Sequence, residues 1–139
     1  MQTTIADAIS KFRAQDSKYV GDSFEPIVAS GPHGAIIHYN PSKSDESETG
    51  INLNSMLLMD TGGQYLDGTT DVTRTVHFGI PSNAEKQAFT RVLMGHINLA
   101  KLVFPGGTSG HAIDVVARVQ LWEAGMDYRH GTGKEESAE

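Results

Sequence analysis

The sequence predicts an α+β fold in which helices cover one face of an antiparallel sheet. Two patterns indicate this fold class. Residues 71–78 alternate and are rich in β-branched side chains, which is typical of a strand. Residues 82–104 repeat apolar side chains at the helical period of 3.6, and residues 109–124 carry a second helical pattern. Glycine and proline separate these stretches, so we expect short connections between them.

Composition and charge exclude several classes of protein. The 139 residues correspond to one domain or to a piece of one. The absence of cysteine excludes disulfides, thiolate metal sites and cysteine nucleophiles. The net charge of −6 disfavours nucleic acid and anionic membranes as partners, because both reward a basic surface. The longest apolar run, residues 56–59, is too short to span a bilayer, and no signal-peptide pattern is present, so we expect a cytoplasmic protein.

The first predicted elements are a helix and two short strands. Residues 3–14 place apolar side chains at spacings of three and four, which predicts an amphipathic helix. Two apolar stretches, residues 26–29 and 35–38, flank the turn-forming segment 30–34. We therefore expect two strands joined by a tight loop, with His33 of that loop on the surface.

A polar loop and the clearest strands follow. Residues 40–50 are polar and charged, which is typical of a surface loop. Residues 51–54 alternate between apolar and polar, and residues 55–61 form an apolar run with an aspartate near its end. Together with residues 71–78, these stretches predict the central strands of the sheet.

The sequence around Ser82 predicts the start of a long helix. Ser82 and Glu85 have the spacing of a capping box, in which each side chain satisfies a backbone amide of the other. The apolar stripe continues until residues 105–107, Pro-Gly-Gly, end the helix. A second helix is expected over residues 109–124, and Gly125 after it is typical of the C′ position.

Two aspartates could carry chemistry. Asp60 closes an apolar strand and Asp71 opens the next one, so a hairpin centred at residues 65–66 would place the two carboxylates opposite each other. Opposed carboxylates repel unless they share a proton or a cation. A turn centred on residues 67–68 would instead pair Asp60 with Thr75, and a bulge near the glycines could reconcile the two registers. The alternative interpretation is a turn aspartate and a strand-edge aspartate without a common role.

Three segments of the chain resemble a known family. Residues 60–75 (DTGGQYLDGTTDVTRT) resemble the metal-binding hairpin of the cytosolic-type Xaa-Pro aminopeptidases, or aminopeptidases P. Residues 29–39 (ASGPHGAIIHY) and 130–133 (HGTG) are similar to two further motifs in the family's order. The resemblance covers about residues 19–133. It implies the pita-bread fold of the creatinase and methionine aminopeptidase superfamily, and removal of the N-terminal residue from peptides with proline in second position.

The resemblance also implies roles for four residues. In the family, two aspartates, one histidine and two glutamates hold two divalent metal ions, most often manganese, with zinc or cobalt as alternatives. Asp60 and Asp71 match the two aspartate ligands. His38 matches the histidine that contacts substrate and transfers protons, and His130 matches a histidine that faces the substrate pocket. The implied partner is a proline-containing peptide.

The sequence departs from the family at Lys134, where the family has its metal-ligating histidine. The two glutamate ligands belong to strands that this sequence does not include. We therefore expect residues 1–133 to be the truncated N-terminal half of a pita-bread catalytic domain, and residues 134–139 to be a disordered tail outside the family pattern. Such a chain would bind at most one ion weakly, would be inactive alone, and would form a homodimer or higher oligomer to cover its exposed face. The alternative is a non-catalytic interaction module that has lost its metals.

Overall fold

A computed structural model describes residues 2–40 and 50–132. The chain divides into two compact units, residues 1–81 and residues 82–139. Most of the predicted polar loop, residues 41–49, and the predicted tail, residues 134–139, lie outside the described residues. None of the described helices is long and apolar enough to cross a membrane.

The first unit contains one helix, a short 3₁₀ helix and six short strands. In chain order they are α1 (Gln2–Arg13), β1 (Tyr19–Asp22), β2 (Ile27–Ser30), the 3₁₀ helix (Gly31–Ala35), β3 (Met56–Thr61), β4 (Gly63–Tyr65), β5 (Gly68–Thr69) and β6 (Val72–His77). The strands form two antiparallel sheets, with the orders β1-β4-β5 and β2-β3-β6. The predicted antiparallel sheet structure and the strands at 26–29, 55–61 and 71–78 are confirmed within one or two residues.

The centre of the β2-β3-β6 sheet forms the core of this unit. Leu57 on β3 is 1% exposed, and Val28 and Ala29 on β2 are equally buried. β2 and β3 are antiparallel neighbours, and Ser30 pairs with Leu57 in their register. Burying three apolar side chains of this size stabilises the unit by several kcal/mol, at about 25 cal/mol per Å² of apolar surface. The core therefore holds rigid the strand that ends with Asp60 and Thr61.

Two predicted strands are wrong. Ala35 ends the 3₁₀ helix, for which Pro32 supplies a helical φ near the start, and a turn follows at residues 37–38. Residues 51–54 also form a turn, in which the Asn52 side-chain oxygen accepts a hydrogen bond from the Asn54 amide at 2.9 Å. In both segments the apolar residues resemble a strand pattern, but turn-forming residues determine the backbone conformation.

The sheet β1-β4-β5 is absent from the sequence prediction. Its strands have only two to four residues, and β4 and β5 are joined by the two-residue turn Leu66-Asp67. Lys18 forms an ion pair with Asp67 at the tip of this hairpin. Segments this short carry too few alternating residues to be recognised from periodicity.

The second unit is a pair of helices, α2 (Asn83–Lys101) and α3 (Gly110–Trp122). The predicted capping box is confirmed, since Ser82 Oγ accepts from the Glu85 amide and the Glu85 carboxylate accepts from the Ser82 amide at 2.7 Å. The predicted C′ glycine is also confirmed. Gly125 has φ of 67°, and the Met126 amide donates to the Leu121 carbonyl at 3.0 Å, as in a Schellman motif.

The two helices approach each other most closely at Gly95. A Cβ atom there would lie 2.1 Å from the carbonyl oxygen of Ala117 on α3. Leu99 and Leu121 are buried around this contact. The predicted end of α2 at residue 104 is too late, because Leu102 already adopts an extended conformation. Four residues of the predicted apolar stripe of α2 keep 40–53% of their surface exposed: Phe89, Val92, Leu93 and Ile97.

Candidate functional site

One cavity of the first unit contains three of the four residues that the sequence singles out. His38, Asp60 and Asp71 line an open cavity of about 400 Å³. The other lining residues come from the start of β2 and its flanks: Phe24, Glu25, Pro26, Ile27, Tyr39 and Asn40. The fourth predicted residue, His130, belongs to the second unit.

The observed register differs from both registers considered from the sequence. Asp60 on β3 pairs with Thr73 on β6, and Thr61 pairs with Val72. Asp60 and Asp71 are therefore not directly opposite, and Thr75 is not the partner of Asp60. Asp71 precedes Thr73 by two residues, immediately before β6, and positions two apart along a strand share a face. The two carboxylates are diagonal neighbours that line the same cavity.

The register follows from a break in the hairpin at Gly62. A Cβ at Gly62 would lie 2.1 Å from the Thr70 carbonyl oxygen, so no other residue fits without displacing backbone. Beyond this point the chain leaves the β2-β3-β6 sheet and joins the other sheet as β4. Arg13 of α1 fixes the corner by donating to Thr61 Oγ1 at 2.7 Å. A change of sheet at Gly62, rather than the bulge considered from the sequence, thus accompanies the observed register of β3 and β6.

The Asp60 carboxylate is held by its cross-strand neighbour. Thr73 Oγ1 donates a hydrogen bond to Asp60 Oδ1 at 2.8 Å. A hydroxyl donor to one carboxylate oxygen fixes the side-chain orientation, which is the usual task of groups that support a metal ligand. The sequence pattern contains this signal, because Thr73 lies within the 60–75 motif.

His38 occupies a strained position beside the aspartates. Its φ of 53° makes it the one non-glycine residue with positive φ among the described residues. Left-handed backbone costs a non-glycine residue about 1–2 kcal/mol, and such strain concentrates at functional sites. The imidazole of His38 is exposed, whereas the next residue, Tyr39, is 3% exposed. The buried Tyr39 ring therefore anchors the turn that presents His38.

The expectation that His33 lies on the surface is wrong. His33 is 8% exposed, its ring stacks on Tyr39 at 4.5 Å between centroids, and its Nδ1 lies 3.3 Å from Nε2 of the buried Gln2. The 3₁₀ helix turns the imidazole inward. His33 and Tyr39 support the turn of His38, a role that was not predicted from the sequence. The signal was present in the 29–39 motif, where two aromatic rings accompany His38.

His130 lies in a segment of the second unit that is tied to α3. Its ring stacks on Tyr128 at 4.5 Å with an angle of 24° between the planes. Arg118 of α3 donates to the His130 carbonyl at 2.7 Å. The hydrogen bond from Arg118 holds the pKa of the Asp114 carboxyl below its usual range, and bonds from Trp122 and then Arg118 do the same for Asp127. Both carboxylates are therefore charged at neutral pH.

The described residues bring two candidate metal-binding carboxylates to one cavity. Asp60 and Asp71 offer carboxylate oxygens, which suit hard divalent ions such as manganese or magnesium. Across residues 2–40 and 50–132, no three histidine, aspartate or glutamate side chains lie close enough together to hold a metal ion. Two carboxylates and water fit a single, weakly held ion, because each missing ligand removes charge and geometric restraint.

Comparisons with known proteins agree on one family. The sequence pattern of metallopeptidase family M24 matches residues 1–134. The chain is 52% identical over 132 residues to aminopeptidase P1 of Lotus japonicus, which covers 95% of this chain and 20% of that relative. It is 50% identical over 128 residues to human Xaa-Pro aminopeptidase 2, covering 92% of this chain and 19% of the relative. The chain thus spans about a fifth of the length of these relatives.

Solved structures of two X-Pro aminopeptidases share the fold of this chain. The X-prolyl aminopeptidase of Caenorhabditis elegans, a cytosolic enzyme with a di-nuclear active site, matches with a TM-score of 0.85 and 42% identity, over 94% of this chain and 21% of that one. The X-Pro aminopeptidase of Thermotoga maritima matches with a TM-score of 0.74 and 27% identity, over 89% of this chain and 33% of that one. These matches confirm the predicted α+β class and the partial pita-bread fold. The chain belongs to metallopeptidase family M24.

Proposed function

We propose that this chain forms part of the catalytic domain of a metal-dependent Xaa-Pro aminopeptidase, which releases the N-terminal residue from peptides with proline in second position. One observation carries the proposal: His38, Asp60 and Asp71 line a single cavity. The names of the relatives support the substrate class, since the one in Lotus japonicus is named aminopeptidase P1 and the human one Xaa-Pro aminopeptidase 2. The cytosolic relative in Caenorhabditis elegans supports a cytoplasmic location.

The residues of the cavity have distinct roles in this proposal. Asp60 and Asp71 hold the divalent ion, with manganese first and zinc or cobalt as alternatives. When bound, such an ion supplies Lewis-acid polarisation of the peptide carbonyl. Thr73 keeps the Asp60 carboxylate in one orientation through its hydrogen bond. The exposed imidazole of His38, held by the strained turn, contacts the substrate and moves a proton. For His130 we propose the substrate-facing role that the family resemblance implies.

The chain on its own holds too few ligands for this chemistry. Asp60 and Asp71 are two of the five ligands that the family resemblance implies, and Lys134 stands at the position of the ligating histidine. A cation at that position repels a second metal ion. We therefore propose that the isolated chain binds at most one ion weakly and shows no turnover, while its residues remain competent within a complete domain.

A chimera tests this proposal. Residues 1–133 of this chain replace the matching stretch of the Caenorhabditis elegans X-prolyl aminopeptidase, whose own residues supply the remaining ligands. We expect manganese-dependent release of arginine from an Arg-Pro-Pro peptide, and a loss of at least about 100-fold in kcat/KM for Asp60→Asn or Asp71→Asn, since a metal ligand carries several kcal/mol of transition-state stabilisation. Asp67→Asn, at the tip of the β4-β5 hairpin, is the matched control and keeps full activity. A folded but inactive chimera, or an active Asp71→Asn chimera, contradicts the proposal.

A second candidate function is a non-catalytic interaction module. Two observations favour it: the absence of a three-residue metal cluster within the described ranges, and Lys134. The chimera separates the two candidates, because a module that has lost its catalytic geometry leaves a folded chimera without manganese-dependent turnover. The proposed substrate partner is a proline-containing peptide, and the proposed assembly is a homodimer or higher oligomer that covers exposed apolar side chains of α2.

A further inference from the structure

The segment that carries His130 has no regular secondary structure of its own. Residues 126–132 follow the Schellman motif of α3 and form neither helix nor strand. The shape of such a segment depends on side-chain contacts, because no ladder of backbone hydrogen bonds defines it. In this segment the contacts converge on one side chain of α3, Arg118.

Arg118 uses every donor of its guanidinium group. Nε and Nη2 donate to the two oxygens of Asp114, at 2.5 and 3.3 Å. Nη1 donates to Asp127 Oδ1 at 2.8 Å and to the Tyr128 carbonyl at 2.7 Å. Nη2 also donates to the His130 carbonyl at 2.7 Å. A guanidinium carries five N–H donors in a fixed planar fork, and here five acceptors receive them.

The same guanidinium supports the ring stack that contains His130. Its carbon atom lies 4.0 Å from the centroid of the Tyr128 ring, which is a cation–π contact. The Tyr128 ring also stacks on the imidazole of His130, with 4.5 Å between centroids and 24° between planes. The Tyr128 hydroxyl hydrogen-bonds to Thr132 Oγ1, which restrains the far end of the ring. Arg118 therefore fixes His130 twice, through its carbonyl and through the stacked ring.

Arg118 itself is well anchored. Its side chain is 12% exposed, and Asp114 lies one helical turn before it on α3. Hydrogen bonding to Asp114 raises the pKa of the guanidinium, so its charge persists at all physiological pH values. A lysine would keep the charge but lose the planar five-donor fork.

We propose that Arg118 is a positioning residue that sets the orientation of the His130 imidazole. Its catalytic meaning rests on the proposed aminopeptidase function, in which His130 faces the substrate. The structural part of the proposal concerns the chain alone and holds whether or not the aminopeptidase function is correct. A positioning error of about 1 Å at a substrate-facing group costs on the order of 100-fold in rate, which is why such a residue matters for function.

Solution NMR of the full chain tests the proposal. The ring-proton signals of His130 in the native chain are expected to be displaced by the ring current of Tyr128. Arg118→Lys is expected to return these signals to the positions of an unstructured histidine, while the far-ultraviolet circular dichroism of the helices is unchanged. Arg91→Lys is the matched control. Arg91 of α2 donates to the Gln120 carbonyl of α3 at 2.6 Å, and its replacement is expected to leave the His130 signals in place.

Trypsin cleavage after Arg129 gives an independent readout of the same segment. Arg129 is exposed, and in the sequence it lies between Tyr128 and His130. Arg118→Lys is expected to speed this cleavage by about tenfold or more, because protease access follows the local opening of the segment. Tyr128→Phe preserves the ring but removes its hydrogen bond to Thr132, so it is expected to change the His130 signals and the protection less than Arg118→Lys does. Tyr128→Leu is expected to abolish the ring-current displacement.

If Arg118→Lys does not fold, Asp127→Asn serves in its place, because the Asp127 side chain is half exposed and its loss leaves Arg118 with its other partners. It is expected to move the His130 signals in the same direction by a smaller amount. The proposal is overturned if the His130 signals and the cleavage rate are both unchanged in folded Arg118→Lys. The same outcome in Asp127→Asn overturns it where that variant is the substitute. These measurements need neither metal nor substrate, so their outcome is separate from that of the chimera.

Discussion

The contact between α2 and α3 at Gly95 offers a sharp test of the helical unit. In Gly95→Ala the new methyl group would lie 2.1 Å from the Ala117 carbonyl oxygen and 3.0 Å from its carbon. Ordinary van der Waals contact begins at 3.4 Å, so the helices must separate by about 1.3 Å along this line. The obstructing atom is backbone, and no change of rotamer relieves the overlap.

The expected cost follows from two opposing terms. Alanine favours the helical backbone over glycine by about 1 kcal/mol. Overpacking at a rigid contact costs about 1–3 kcal/mol, and a backbone obstruction belongs at the upper end of this range. Separating the helices also weakens the packing of Leu99 and Leu121, which are 7% and 4% exposed. We therefore expect a net destabilisation of about 2 kcal/mol, and a Tm lowered by about 5–10 °C.

Urea unfolding followed by tryptophan fluorescence measures this effect directly. The chain has a single tryptophan, Trp122, which ends α3 and reports on the helical unit. Gly110→Ala is the matched control, because its Cβ meets nothing within 4 Å at the start of α3. This control is expected to stabilise the unit by about 0.5 kcal/mol through backbone entropy. Equal or greater stability of Gly95→Ala than of the native chain would refute the close approach of the helices.

Three further outcomes are expected. The purified chain with added manganese, cobalt or zinc shows no cleavage of an Arg-Pro-Pro peptide, and turnover that disappears in Asp71→Ala would contradict this. Light scattering after size exclusion shows a mass of at least twice 15.0 kDa, because apolar side chains of α2 are exposed, and a stable monomer would contradict self-association. Asp114 has a folded-state pKa below its ordinary 3.8, so its contribution to stability is present above that pH and is lost as the pH falls through the lower folded-state value. Asp114→Asn is therefore less stable than the native chain at pH 7. Urea unfolding is expected to show that this difference in stability shrinks towards zero as the pH falls below 3.8. A difference that stays constant with pH would contradict the lowered pKa of Asp114.

The parts of the fold that the sequence predicts are those set by local chemistry. Ser82 and Glu85 define the start of α2 within four residues, and Gly125 defines the end of α3 through its left-handed backbone. The strand at 72–77 is recognisable because β-branched residues alternate along its whole length. In each case the information lies within a few positions of the element itself.

The parts that the sequence misses depend on contacts between distant segments. β1 has four residues and pairs with β4 more than forty positions later, so its own pattern is too weak to reveal it. His33 is buried because the Tyr39 ring stacks on it and Gln2 contacts it, and the Gln2 contact joins positions 31 residues apart, which no local pattern encodes. The aspartates illustrate both cases. Their identity as a pair is visible in the motif, whereas their diagonal register depends on the sheet change at Gly62.

The central claim is that Asp60 and Asp71 share one cavity as part of a metal site. Titration with Mn²⁺ in NMR tests it most directly, because a bound paramagnetic ion broadens the amide signals around it. The claim predicts weak binding, with broadening centred on the residues that line the cavity of His38, Asp60 and Asp71, and loss of this broadening in the Asp60→Asn/Asp71→Asn double variant. Asp7→Asn, which alters a carboxylate of the neighbouring cavity but not one that lines the cavity of His38, is the matched control and leaves the broadening unchanged. Broadening that survives in the double variant, or that is centred elsewhere, would contradict the claim.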